Sequence, residues 1–317
     1  DVALVTSPDD THVEVACELL EAGVPVYLEK PIAIRLDDAT RILETAYRTG
    51  TKLYVGHNMR HMDVVRGMRR IIREGLIGEV KAIWCRHFVG HGGDFYFKDW
   101  HATREHGTGL LLQKASHDFD MIHWIAGRNT RRVPAFGSLD FYGGNKPNTL
   151  ECSACKQRKT CTESQEWYHH EFCCFRREVS VEDNSVVIME LDGGIKATYT
   201  QCHFTPDYFR NYTFIGTEGR IENMNDDNKV ICLTRSLSKK SKNFSNRTYD
   251  IKPAEGGHGG ADPVICEDFL DMVLNGKEPV STPQAGRMSV AVGCAATDSL
   301  RHGGRVVAVP PLPAAAR

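Results

Sequence analysis

The sequence predicts an α/β chain: a doubly wound parallel sheet followed by an α+β domain built on a large, mostly antiparallel open sheet. Three observations carry this. Over residues 1–58, short apolar runs alternate with helix-period segments, the pattern of parallel strands joined by crossover helices. From Val133 onward the chain reads instead as successive strands, with Asp192-Gly193-Gly194 as a hairpin turn. A length of 317 residues suits about two domains, each with its own core.

Taken in order, Val2–Thr6 reads as a strand and Ser7-Pro8-Asp9-Asp10 as a turn. Thr11 is placed to cap a helix with Val13, Ala16, Cys17 and Leu20 on one face, ended by Gly23. The strand Val26–Glu29 follows. A helix from Leu36 to Arg48 then carries Ala39, Ile42, Leu43 and Ala46 on one stripe, with Gly50 closing it, before a third strand, Lys52–Gly56. This is the second half of a doubly wound nucleotide-binding domain. Asp1 already sits in a strand pattern, and no glycine-rich dinucleotide fingerprint precedes these strands. Gly107-Thr108-Gly109 and Gly256-Gly257-His258-Gly259-Gly260 have the wrong spacing and no parallel strand before them. The sequence is therefore expected to begin inside a fold whose opening segment lies upstream. The acidic or basic residue that separates NAD from NADP would lie there too.

Asp63–Arg73 is expected to be helical, with Val65, Met68 and Ile72 on one face. Gly75 and Gly78 lead into a strand, Val80–Val89. Residues 90–109 read as a loop dense in Gly, His and aromatics, and Leu110–Ala126 as one apolar helix with polar interruptions. Strands are expected at 133–141, 185–192, 195–203, 210–216 and 229–234, helices at 262–276 and 284–301, and a last strand at Arg305–Val309. The domains are then 1–58 and 59–309, with a Cys-rich insertion at 144–178 and a loose Pro/Ala-rich tail at 310–317.

Composition narrows the function classes. A formal charge of −2, with acids and bases mixed along the chain, gives no footprint for nucleic acid or an anionic membrane. No apolar run approaches the roughly 20 residues of a spanning helix, and no signal peptide opens the chain. Of eleven cysteines, six (Cys17, Cys85, Cys202, Cys232, Cys266, Cys294) fall singly in apolar segments and read as reduced core residues. That usage suits the cytoplasm.

Three constellations could carry chemistry. Parallel sheets bind ligands outside the carboxyl ends of their strands. Three polar ends occur here: Ser7-Pro8 with His12, Glu29-Lys30-Pro31, and Gly56-His57-Asn58-Met59-Arg60. Lys30, at a strand's end, could aim its ammonium at a substrate oxygen. A cis peptide is affordable before Pro31, where the trans preference is only about 0.5–1 kcal/mol. The second constellation is Gly107 to Asp120. On a continuous helix Gln113 and His117 share a face, and Lys114 is three residues from His117. A lysine beside a histidine keeps the imidazole neutral and available as a base. A structural histidine bonded to Asp118 or Asp120 is the alternative. The third is Cys152-x-x-Cys155-x5-Cys161 followed by His169, His170, Cys173 and Cys174. Structural zinc, disulfides and plain thiols all suit it.

With these residues in place, the chain resembles the Gfo/Idh/MocA family of NAD(P)-dependent oxidoreductases. The resemblance runs through Ser7, Pro8 and His12, then Glu29-Lys30-Pro31, Gly56, Asn58 and Arg60, and Gly75-Leu76-Ile77-Gly78-Glu79-Val80. It continues through the entry to the His117 helix, Ile215-Gly216-Thr217-Glu218-Gly219 and Glu267-Asp268-Phe269-Leu270. It implies a Rossmann domain binding NAD or NADP, with Ser7, Pro8, His12, Glu29, Lys30 and Asn58 lining the cofactor. Lys30 would orient the substrate hydroxyl, His117 would take its proton, and Gln113 and Lys114 would complete the catalytic set. The substrate would be a sugar or polyol, and the open sheet face would serve a homo-oligomer, a dimer or tetramer. Relatives that cleave glycosidic bonds by transient oxidation, without net redox change, are the alternative, as is a non-catalytic ligand-binding relative. Many family members carry an aspartate where Gln113 stands, so Lys114 or Asp118 is expected to compensate. Lys98, Asp99, Trp100 and His101 are expected to wall the sugar pocket, with a loop packed on its own aromatics as the alternative, and nothing in the resemblance calls for a catalytic metal.

Overall fold

The computed structural model describes residues 1–164, 172–223, 228–235, 245–252 and 254–314. Three short strands, β1 (Ala3–Val5), β2 (Val26–Leu28) and β3 (Leu53–Val55), form a parallel sheet in that order. Helices α1 (His12–Glu21) and α2 (Leu36–Thr49) provide the crossovers. Side chains alternate across the sheet with period 2. Val5, Val26, Leu28, Leu53 and Val55 meet Ala16, Leu20, Ala39 and Ile42 of the two helices. Tyr27 and Tyr54 point to the opposite face and stack with ring centroids 5.7 Å apart. Gly50 ends α2 in the left-handed conformation, as its position after the apolar stripe predicted. Thr11 precedes α1, but its hydroxyl donates to the Pro8 carbonyl instead of capping the helix.

After α3 (Asp63–Arg73), the strand β4 (Val80–Gly90) enters a second sheet. The expected loop at 90–109 contains short helical turns, α4 (Gly92–Tyr96) and α5 (Arg104–Gly107). The expected single helix at 110–126 is two, α6 (Leu110–Gln113) and α7 (Ser116–Ala126). The carbonyl of Leu110 accepts from both Lys114 N and Ala115 N, a widened turn that breaks the helical ladder. The expected strand at 133–141 is likewise two, β5 (Thr130–Val133) and β6 (Ala135–Ser138), divided at Pro134, which has no N–H to give a ladder.

β7 (Asn184–Leu191), β8 (Lys196–Thr205) and β9 (Phe209–Gly216) follow as expected, β7 and β8 joined through Asp192-Gly193-Gly194. Two strands that the sequence reading omitted, β10 (Gly219–Asn223) and β12 (Ser245–Asp250), flank β11 (Lys229–Thr234). Both are polar, so neither shows an apolar run. The ten-stranded sheet is antiparallel except where β4 pairs β8. Its buried face packs on α3, α7 and a late helix through Ile83, Tyr199, Phe214, Phe119 and Val292.

Two long helices, α8 (Gly257–Asn275) and α9 (Pro283–Arg301), close the chain before the short β13 (Val307–Ala308). α8 covers the Tyr27/Tyr54 face of the parallel sheet with Ile265, Phe269 and Met272. α9 runs between the sheets, and Gly293 lets it approach α6: a Cβ there would stand 2.8 Å from the Leu111 carbonyl oxygen. The tail is not loose throughout, because the Pro310 carbonyl accepts from Arg287 and Leu312 packs on the main core. Of the six single cysteines, Cys17, Cys85 and Cys232 are buried, whereas Cys202 and Cys294 are half-buried and Cys266 is exposed.

Candidate active site

The parallel register brings the carboxyl ends of β1, β2 and β3 together. His12 stitches the first two. Its ring is fully buried, with Nδ1 2.9 Å from the Pro31 carbonyl oxygen and Nε2 2.9 Å from that of Ser7. Both ring nitrogens are thus taken by backbone, and His12 shapes the crevice from behind. The Lys30–Pro31 peptide is cis. Glu29 turns back so that its Oε2 accepts from Lys30 N at 2.5 Å, and burial raises its carboxyl above the ordinary range. Gly56 leaves room for it: a Cβ there would lie 2.7 Å from that oxygen, and the Glu29 carboxylate would have to shift.

Asp9 was not singled out by the sequence, though it lies in the turn after β1. It is buried, its Oδ2 has no partner among the described residues, and burial pushes its pKa up to about 7 against the opposing pull of Lys30. Asn58, after β3, likewise holds a buried Oδ1 with no partner among the described residues.

Across the crevice stands the break between α6 and α7. Lys30 Nζ donates to the Gln113 carbonyl at 3.5 Å, and Ser116 Oγ donates to the same oxygen at 3.4 Å. Gln113 and His117 do not face one way as i and i+4 of a straight helix, since the widened turn lies between them. Each is nonetheless buried, with Gln113 Oε1 and His117 Nδ1 lacking partners among the described residues. The His117 imidazole is held well below its ordinary pKa, first by burial and then by Lys30, Arg210, His57 and Lys114. His57 packs edge-on to it with ring centroids 6.1 Å apart, and burial lowers its own pKa to about 4.

His117 is not bonded to Asp118 or Asp120, because both carboxylates are engaged elsewhere. Asp120 takes a bidentate pair from Arg60 at 2.8 and 2.6 Å. Asp118 accepts from Arg210 Nε and Nη2, both at 2.8 Å, from His87 Nδ1 at 3.0 Å and from the Tyr212 hydroxyl. Burial alone would raise the Asp118 carboxyl, but Arg210 and His87 hold it well below the usual range. Asp118 therefore does not stand in for the aspartate missing at position 113. His87 and Arg210 were not singled out by the sequence. Each sits on a strand whose alternate residues face α7, a signal visible only once β4 is paired with β9 (His87 opposite Arg210).

The loop at 90–109 is held both by its own side chains and by contacts to Tyr142, Glu163, Arg176, Ser180 and Glu182. Lys98, expected in the pocket wall, is buried, paired with Asp94, and donates to the Glu163 carbonyl at 2.5 Å. Trp100 stacks on His101 with centroids 3.6 Å apart, and His101 is bonded to Asp99. Arg176, from the Cys-rich insertion and fully buried, donates to the carbonyls of Phe97 (2.6 Å) and Asp99 (3.0 Å), tying insertion to loop. Cys152, Cys155, Cys161, Cys173 and Cys174 are free thiols, and His169 and His170 lie outside the described residues. Among the described residues no group of three or more His, Cys, Asp or Glu side chains could hold a metal ion. Beside the site, a cavity of about 510 Å³ is lined by Met59, Tyr208, Arg210, Tyr212 and His258 among others.

Residues 1–57 match the family model described as oxidoreductase family, NAD-binding Rossmann fold, and residues 69–309 match oxidoreductase family, C-terminal alpha/beta domain. The chain is 29% identical to the oxidoreductase YteT of Bacillus subtilis (strain 168), a match covering 92% of this chain and 78% of that protein. It is 23% identical to scyllo-inositol 2-dehydrogenase (NAD(+)) of the same organism, over 96% of this chain and 76% of that one. Its fold is similar to that of a levoglucosan dehydrogenase solved in complex with NADH and levoglucosan. There the TM-score is 0.78 at 17% identity, covering 98% of this chain and 80% of that one.

Proposed function

The chain belongs to the Gfo/Idh/MocA oxidoreductase family, and on that premise we propose that it transfers a hydride between a nicotinamide cofactor and a hydroxyl or keto carbon of a sugar, polyol or sugar derivative. The observation that carries this reading is His117, a buried, neutral imidazole with no carboxylate partner among the described residues, lying within the field of Lys30. A group kept neutral in this way can accept a proton at neutral pH. The Lys30 ammonium favours the alkoxide form of a substrate hydroxyl, which lowers the cost of removing that proton. Hydroxyl activation by Lys30 and proton acceptance by His117 are the two roles the protein supplies. Gln113 orients through its free amide oxygen, and Lys114 adds positive charge.

The cofactor is NAD or NADP, since residues 1–57 form part of an NAD-binding Rossmann domain. The residues present fit it: Asp9 Oδ2 and Asn58 Oδ1, without partners among the described residues, lie at the carboxyl ends of parallel strands, where ribose hydroxyls and an amide can reach them. Ser7, Pro8, Glu29, Lys30 and Asn58 would line it, with His12 bracing the turn. When bound, the nicotinamide supplies the redox chemistry.

We place the division between the cofactor part and the substrate part at residues 58–59, with 144–178 as an insertion in the latter. Homo-oligomerisation through the open sheet face is supported by its apolar exposure. Trp84, Ile188, Val186 and Phe136, exposed by 52%, 50%, 45% and 62%, lie on that face by register. Among the described residues no helix is long and apolar enough to cross a membrane. A cytoplasmic location is proposed from cysteine usage, with Cys17, Cys85 and Cys232 buried as core residues. The test is a screen of sugars and cyclitols with both nicotinamides. Substrate-dependent appearance of reduced nicotinamide supports a dehydrogenase, while aglycone release without it supports the redox-neutral glycosidase.

A further inference from the structure

Beyond the positive charge it adds near His117, Lys114 is given no part in activating the hydroxyl or accepting its proton. It sits in the widened turn between α6 and α7, half-buried, and among the described residues it has no carboxylate in ion-pair contact. Its Nζ lies 5.5 Å over the ring of Tyr96. The groups around it are neutral or already neutralised. Tyr96 meets the ring of His203 at 5.3 Å, and His203 is wholly buried with neither ring nitrogen partnered among the described residues. Arg210, a second cation acting on Lys114, is answered by Asp118, whose carboxylate is also bonded to His87 and Tyr212. Tyr208 and Arg210, which act on Lys114 by charge, also line the adjoining cavity of about 510 Å³.

Two ammonium groups, Lys30 and Lys114, thus bear on one imidazole, and neither meets a carboxylate in an ion pair among the described residues. Stabilising an alkoxide accounts for Lys30. A second ammonium, partly withdrawn from water and with no carboxylate in ion-pair reach among the described residues, is unfavourable in the free enzyme and becomes favourable when an anion arrives. We propose that Lys114 is the anion-recognising residue of the substrate pocket, and that the substrate is a sugar bearing a carboxylate, an aldonate or a uronate. A monoanion matches one lysine, whereas a phosphate dianion would call for a second unpaired cation beside it. The aromatic face of Tyr96 holds the ammonium stem in place. The inference rests on the dehydrogenase reading and adds the substrate class to it.

The experiment compares kcat/KM of the full chain, with its preferred nicotinamide, for a hexuronate, the matching neutral hexose and the matching hexose phosphate. The wild type should favour the hexuronate by at least about tenfold. Lys114→Gln should erase that preference by raising KM for the acid, and Lys114→Arg should restore part of it. Equal turnover of acid and neutral sugar, preference for the phosphate, or a Lys114→Gln variant that loses the same factor on both sugars would each overturn the inference. The last result would make Lys114 only an electrostatic neighbour of His117. Calorimetric binding of the hexuronate separates this inference from the reading beneath it. If no sugar reduces the nicotinamide but the hexuronate binds and Lys114→Gln abolishes binding, the dehydrogenase reading fails and the subsite stands. If sugars are oxidised without regard to charge, the reverse holds.

Discussion

The Lys30 ammonium lies 3.5 Å from the carbonyl oxygen of Gln113. This contact joins the end of β2 in the parallel sheet to the broken helix of the second sheet's domain. It depends on the widened turn at Lys114–Ala115, and the site draws on both halves of the chain. Replacing Lys30 by Ala should reduce turnover by about 10²–10³-fold, the scale of removing one electrostatic stabiliser, while leaving cofactor affinity within a few-fold. Steady-state kinetics and a nicotinamide-fluorescence titration measure the two separately. Unchanged turnover would sink the role given to Lys30.

His117 is neutral because it is buried and then because Lys30 and Arg210 stand near it. For oxidation of an alcohol it acts as a base, so kcat/KM should hold its plateau as pH falls through the ordinary histidine value of 6.5. A Lys30→Met substitution should move the His117 pKa upward without restoring it fully, since burial remains. Nitrogen-edited NMR of the histidine rings would follow this. An acidic limb at or above the ordinary value in the wild type would argue against His117 as base.

Arg210 and Asp118 form a bidentate pair with no solvent contact at the carboxylate. Arg210→Met would leave that carboxylate buried with His87, Tyr212 and the weak Cys85 thiol donor but no cation paired to it, and should destabilise the fold by about 3–5 kcal/mol. Adding Asp118→Asn to it should recover part of the loss. Urea unfolding of the single and double variants makes the comparison.

Buried histidines contribute to the acid limit of the fold, His57, His87 and His123 among them. Burial lowers His57 and His123 to about 4 and His87 to about 3. The unfolded chain takes up these protons near the ordinary value of 6.5, before the folded chain does. Stability is therefore complete above that value and is lost as pH falls from there toward 3–4. A thermal midpoint that stayed level over this window would contradict the burial of these rings in neutral form.

Much of the fold was legible in the sequence because it rests on periodicity. The stripes of α2 and the runs Val26–Leu28 and Leu53–Val55 repeat at helix and strand spacing and form what they predict. β10 and β12 were hidden because Gly219–Asn223 and Ser245–Asp250 are mostly polar in sequence, so no apolar alternation marks them. In the site, Lys30 and His117 could be singled out, one at a strand's end and one in a polar trio. Their surroundings could not. That Asp118 is committed to Arg210 follows from pairing β4 with β9, and that pairing is not written in local spacing. The helix break was equally invisible, since Leu-Leu-Leu-Gln-Lys-Ala-Ser-His has strong helical propensity and tertiary contacts of Lys30 and α9 override it.

The most direct test of the account is the near-ultraviolet absorbance of reduced nicotinamide when the full chain is mixed with oxidised cofactor and a panel of sugars and polyols, with His117→Asn in parallel. The account predicts absorbance that grows with substrate in the wild type and falls by orders of magnitude in the variant. Release of an aglycone with no net reduced nicotinamide, or equal rates in wild type and variant, would contradict it.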